Sequence, residues 1–155
     1  MKKLDREFSL AEVAMLTGTD QNVLRGWMVN SLLVPIRRGG KRGRGRSIVF
    51  DLRSLVAIGL LRTLKRAGAT LQYAKPLAQF VNSLTPHELD AAAESQMMLV
   101  YVGESMPPQL RRPDEQFEYR GDFPELGFKA SIADLWARVG SGLDYFDRTM
   151  AASSN

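Results

Sequence analysis

Apolar residues near the start of the chain recur at helical spacing. Leu10, Val13, Ala14 and Leu16 would share one face of a short helix over about Leu10–Leu16. Ser9 followed by Glu12 forms a capping box at its start, and Phe8 is placed to staple onto Val13. Thr17-Gly18-Thr19 ends this helix, with Gly18 free to take a left-handed conformation. A second helix is expected from Asp20 to about Met28 or Asn30, with Val23, Leu24 and Trp27 inward. Two short helices joined by a glycine turn make a helix-turn-helix.

Pro35 makes the next segment, Leu32-Leu33-Val34-Pro35-Ile36, extended rather than helical. Residues 37–46 hold six basic residues, four glycines and no acid, and the strand formers Ser47-Ile48-Val49-Phe50 follow. Extended segment, glycine-rich tip and strand predict a two-stranded β-hairpin. Asp51 is the expected N-cap of a third helix over Leu52–Ala67, which Gly68 ends. Thr70 caps a fourth over Leu71–Leu84, with Leu71, Ala74, Leu77, Ala78 and Val81 inside and Pro76 expected to kink or split it. Thr85-Pro86-His87-Glu88 is a second capping box, opening a helix to about Ser95. Met97–Val102 reads as a strand, 103–127 as a long proline-rich loop, and Phe128–Ala130 as a short strand. Ser131 caps a last helix over about Ile132–Met150. The fold class is mainly α (α+β), with 1–82 as an N-terminal domain and 83–155 as an acidic C-terminal region.

Charge divides the chain at about the same place. Residues 1–75 hold 15 Lys/Arg against 5 Asp/Glu, a net of +10, and residues 76–155 hold 6 against 12, a net of −6. A basic half of this kind points to a polyanion, and the acidic half to another task. The absence of cysteine excludes disulfides, thiolate metal sites and cysteine nucleophiles, and the single His87 excludes a histidine-rich metal site. No cofactor is expected. There is no nucleophile–base set and no Walker-type phosphate loop, so an enzyme is not expected. No apolar run reaches the ~18 residues of a membrane span, and the N-terminus lacks the apolar core of a signal peptide. A cytoplasmic, nucleoid-associated protein is the expectation.

A family resemblance rests on particular residues. Phe8-Ser9-Leu10-Ala11-Glu12-Val13-Ala14, Leu16-Thr17-Gly18, Val23-Leu24-Arg25, Trp27 and Leu32-Leu33-Val34-Pro35 resemble the opening of MerR-type regulators. Phe50-Asp51, the helix around Leu55, Ile58, Leu61 and Leu64, then Arg66-Ala67-Gly68 and Thr70-Leu71 are similar to their continuation, so the resemblance covers about residues 8–82. It implies a winged helix-turn-helix whose second helix enters the major groove while the hairpin wing grips backbone or minor groove. Gln21, Asn22 and Arg25 are then the base-reading candidates, since Asn and Gln pair with adenine and Arg with guanine. Arg37, Arg38, Lys41, Arg42, Arg44 and Arg46 are the wing contacts. RNA is less favoured, because the chain lacks the strand-borne aromatics that RRM-type readers stack on bases. The sequence departs from the family at Gly26, where an aromatic is usual, and in a longer, more glycine-rich wing. No metal- or drug-sensing domain is recognisable.

The last helix carries an apolar seam at spacings of three and four: Ile132, Leu135, Trp136, Val139, Leu143, Phe146 and Met150. It serves either the chain's own core or a second copy. The acidity of this half favours a homodimer, with Leu135, Trp136, Val139, Leu143 and Phe146 at the contact. The expected function is a sequence-specific transcriptional regulator on double-stranded DNA. The alternatives are an excisionase-type DNA-bending factor, or an antitoxin-like adaptor whose acidic half binds a protein partner.

Overall fold

The structure, a computed structural model, describes residues 4–38, 48–101, 103, 106–114 and 127–154. It is mainly helical with two small antiparallel sheets. Strand β1 (Phe8–Ser9) leads into α1 (Leu10–Thr17) and α2 (Gln21–Val29). Strands β2 (Arg37–Arg38) and β3 (Ile48–Phe50) precede α3 (Leu52–Arg66), α4 (Leu71–Ser83) and α5 (Pro86–Glu94). Strands β4 (Met98–Tyr101), β5 (Gln109–Arg111) and β6 (Phe128–Ser131) complete the second sheet, and α6 (Ile132–Ser153) closes the chain.

The local signals act as expected. Ser9 Oγ accepts from the Glu12 N–H, and the Glu12 carboxylate accepts from the Ser9 N–H. Phe8 and Val13 are both buried. Gly18 takes the left-handed conformation at φ 61° and ends α1. Thr85 and Glu88 make the second box, and hydrogen bonding from the Thr85 backbone N–H holds the Glu88 carboxyl below its ordinary range. Pro76 does not split α4. The helix runs unbroken from Leu71 to Ser83, with Ala74, Leu77, Ala78 and Val81 buried. Burial of that face offsets the hydrogen bond the ring removes. Leu71, expected inside, is half exposed: it shares that face at i, i+3 and i+7 with Ala74 and Ala78 but stands at the first helical position.

Helix α3 is the centre of the molecule. Nine of its fifteen residues are buried, and α1, α4, α5 and α6 pack around it. A helix that is apolar nearly all round belongs in a core of this kind. One continuous core runs from Phe8 through α3 to Leu143. The boundary expected at 82–83 falls in the final turn of α4, and the segments on either side of it share this core.

The last helix packs on the same core. Leu135, Trp136, Leu143 and Phe146 are buried within the single chain, and Val139 packs against the same core. The Trp136 indole N–H donates to Asp90 Oδ1 at 2.9 Å, tying α6 to α5. These side chains are therefore core residues. Most of this face is thus engaged by the chain's own core, with Val139 only partly covered. Met150, beyond the packed part of the seam, is exposed.

The segment 103–127 was expected to be a loop throughout, yet β5 lies within it and pairs with β4, with Leu99 opposite Leu110. Strand β4 is the central strand, with β6 on its other side. Tilted Tyr73 and Tyr101 rings, 5.0 Å apart, join this sheet to α4.

Asp51 anchors the entry to α3. Its carboxylate accepts from the Arg53 N–H and from Arg53 Nε at 2.9–3.1 Å, while Arg53 Nη1 donates to the Asn82 carbonyl. Asn82 in turn donates from Nδ2 to the Leu32 carbonyl at 2.9 Å. This chain of bonds fixes the segment after α2 to α3 and α4. Asp51→Ala removes a cap and strands a half-buried guanidinium, and is expected to lower unfolding free energy by about 1–3 kcal/mol in urea titration. Ser54 lies next to this network, and its buried hydroxyl has no hydrogen-bond partner among the described residues. Ser54→Ala is therefore expected to be neutral or to stabilise by up to about 1 kcal/mol in the same assay.

Candidate nucleic-acid interface

The turn between α1 and α2 sets the angle at which α2 is presented. The Gly18 and Thr19 N–H groups both donate to the Ala14 carbonyl, and an Arg62 guanidinium N–H donates to the Thr17 carbonyl. Asp20 then caps α2, its carboxylate accepting from the Asn22 N–H at 2.7 Å. Asp20 is thus committed to the helix start, as its position suggested.

Helix α2 rests on Leu24, which is fully buried, with Trp27 and Met28 packed against the core. Those three define its inner face at spacings of three and four. Val23, expected inward, lies about 100° of helical rotation from Leu24 and is 37% exposed. Gln21, Asn22 and Arg25 are all exposed. Asn22, Arg25 and Val29 follow one another at i, i+3 and i+7 on the outer face, and Gln21 stands one turn before Arg25. Among the described residues, Arg25 has no hydrogen bond or ion pair, so its guanidinium is available to an external acceptor.

Two outer-face features were not anticipated. Val29 is 83% exposed, and an apolar side chain there suits a thymine methyl. Its place in the inward-looking run Trp27-Met28-Val29 hid it. Gly26 lies toward the same side, and a Cβ built on it would meet nothing within 4 Å. Packing within the chain does not demand glycine at this position. Its lack of a side chain suits close approach of the helix backbone to a groove.

After α2 the chain turns sharply. Ser31 adopts φ 59°, and the Leu32 and Leu33 N–H groups both donate to the Trp27 carbonyl. Leu32 and Leu33 are buried, which carries the chain from the end of α2 into the first sheet. There Arg37 pairs with Val49 and Arg38 with Ile48. The sheet has three strands in the order β1-β3-β2, one more than the hairpin expected, because Phe8 pairs with Phe50 and Ser9 with Val49. Arg37 and Arg38 therefore stand at the base of the wing. Lys41, Arg42, Arg44 and Arg46 lie outside the described residues. Strands β2 and β3 flank them in the chain, and seven residues, Asn30–Ile36, join α2 to β2.

Helix, turn, second helix and strand-paired wing base define a winged helix-turn-helix. Residues 8–80 match the family model described as MerR HTH family regulatory protein, so this part of the chain is similar to the helix-turn-helix of that family. No curated protein matched the chain. No helix among the described residues is long and apolar enough to cross a membrane.

Proposed function

We propose that the protein is a sequence-specific regulator of transcription that binds double-stranded DNA with α2 in the major groove and the basic wing on backbone or minor groove. The observation that carries this reading is the outer face of α2. Gln21, Asn22 and Arg25 stand exposed on a helix whose opposite side is locked into the core. The helix that carries them ends seven residues before a segment with six basic residues and no acid. Side chains that read bases need such a rigid mount, while the wing supplies charge.

The roles divide accordingly. Arg25 is the guanine reader, and Gln21 and Asn22 read adenine or position the helix on a phosphate. Each bidentate base contact contributes about 1–3 kcal/mol of discrimination. Arg25→Ala is therefore expected to relax base preference at one position of the site while leaving the melting temperature near that of the parent. Quantitative binding to a selected site and to its single-base variants reads this out. If Gln21→Ala, Asn22→Ala and Arg25→Ala all retain the parent's ratio of specific to random binding, α2 is not the reader.

A single winged domain covers little DNA, and two half-sites bound by a homodimer remain part of the proposal. The seam of α6, with Leu135, Trp136, Val139, Leu143 and Phe146, is the surface the sequence offers for a second copy, although most of it is buried in the single chain. Light scattering of the full chain, free and on a two-half-site DNA, is expected to show two copies on the DNA.

A further inference from the structure

A cleft of about 240 Å³ opens where α1, α3 and α6 meet. It is separate from the outer face of α2. Its walls are Leu16, Leu55, Ile58, Leu135 and Val139, and three arginines, Arg62, Arg66 and Arg138, also line it. No carboxylate is among the lining residues. Arg62 is held by the Thr17 carbonyl. Arg66 and Arg138 make no ion pair among the described residues.

Gly59 supplies a second, independent observation. It lies in the middle of α3, where glycine costs a helix about 1 kcal/mol relative to alanine. A Cβ built on Gly59 would meet nothing within 4 Å. Its φ is not in the left-handed range, so neither the backbone nor crowding requires glycine there. The absent side chain instead leaves the cleft open on the α3 side. An open hollow with apolar walls and a few polar groups at its rim, here the exposed Arg66 and Arg138, has the make-up of a ligand pocket.

We propose that this cleft binds a small organic carboxylate with an apolar body. The carboxylate would be held by the planar donor forks of Arg66 and Arg138, which match its two oxygens. The apolar body would lie along Leu55, Ile58 and Val139. A neutral molecule of the same shape would leave the two guanidinium groups unanswered. A highly charged one would forfeit the apolar walls.

Benzoate and hexanoate are suitable probes, with benzyl alcohol and hexanol as neutral counterparts, each titrated into the full chain without DNA by calorimetry and by amide chemical shift. At least one carboxylate is expected to bind, with shifts confined to α1, α3 and α6, and its alcohol is expected to bind at least about tenfold more weakly. Arg66→Ala with Arg138→Ala is expected to weaken the carboxylate by about tenfold or more while leaving the fold intact. Gly59→Leu, which fills the hollow, is expected to abolish binding while raising the melting temperature. The proposal is overturned if neither carboxylate binds at millimolar concentration, if acid and alcohol bind alike, or if Gly59→Leu leaves carboxylate affinity unchanged. It is overturned equally if the double arginine variant binds the carboxylate as the parent does. A loss of DNA affinity in that variant, with no carboxylate bound by the parent, would identify the arginines as phosphate contacts instead.

Discussion

Replacing Trp136 with alanine is expected to cost the folded chain about 3–5 kcal/mol, enough to leave it largely unfolded if its total stability is near the low end for a domain. The side chain is 7% exposed, and it bridges α6 to α5 through the indole bond to Asp90. Its removal leaves a cavity and an unanswered carboxylate together. Trp136→Phe retains most of the packing and is expected to lose about 1–2 kcal/mol, chiefly the hydrogen bond and the smaller ring. Urea unfolding at two protein concentrations tenfold apart separates the roles open to this residue. A core residue gives the same loss at both concentrations. A dimer-contact residue gives folded monomers and a concentration-dependent midpoint.

The second large effect concerns the wing. Six basic residues within residues 37–46 repel one another until an anion neutralises them. If about three or four meet phosphates, each adds about 0.9 to the negative slope of log affinity against log salt. Replacing Arg42, Arg44 and Arg46 with alanine is expected to flatten the slope by about 2–3 units. Binding to specific and random DNA should weaken by similar factors, because phosphate contacts carry little sequence information. An arginine seated in a narrow minor groove would add one further sign, a lost preference for A·T-rich flanks outside the half-site. Salt titrations of parent and triple variant on both DNAs measure this. An unchanged slope would remove the wing from the interface.

The features legible in the sequence were those whose cause is local. Both capping boxes, the Gly18 turn and the Asp51 cap depend on residues within a few positions of one another, and each stands in the structure where the residues indicated. The features that were not legible depend on distant partners. Strands β1 and β5 have two and three residues, too few for a periodic signal, and exist because β3 and β4 offer them an edge. Val23 is apolar and next to buried Leu24, but a helix of nine residues buries one side only, and Leu71 has the right spacing but stands at the end of α4. The apolar seam of α6 has the same spacing whether it packs on its own chain or on a second copy. Its burial against α3 depends on the whole N-terminal fold, which the spacing does not encode. The same holds for the arginine-lined cleft. Arg62 and Arg66 sit on one helix and Arg138 on another 72 residues further on, so nothing in the linear order brings them together.

Selection of binding sites from a pool of random-sequence duplexes, followed by affinity measurement of the full chain at a fixed salt concentration, tests the central claim most directly. The account predicts that the pool converges on a defined motif bound at least about 10³-fold more tightly than scrambled duplex. It also predicts that Arg25→Ala changes the motif at one position of each half-site. A pool that fails to converge, with selected and scrambled duplexes bound alike, would contradict sequence-specific reading by this domain.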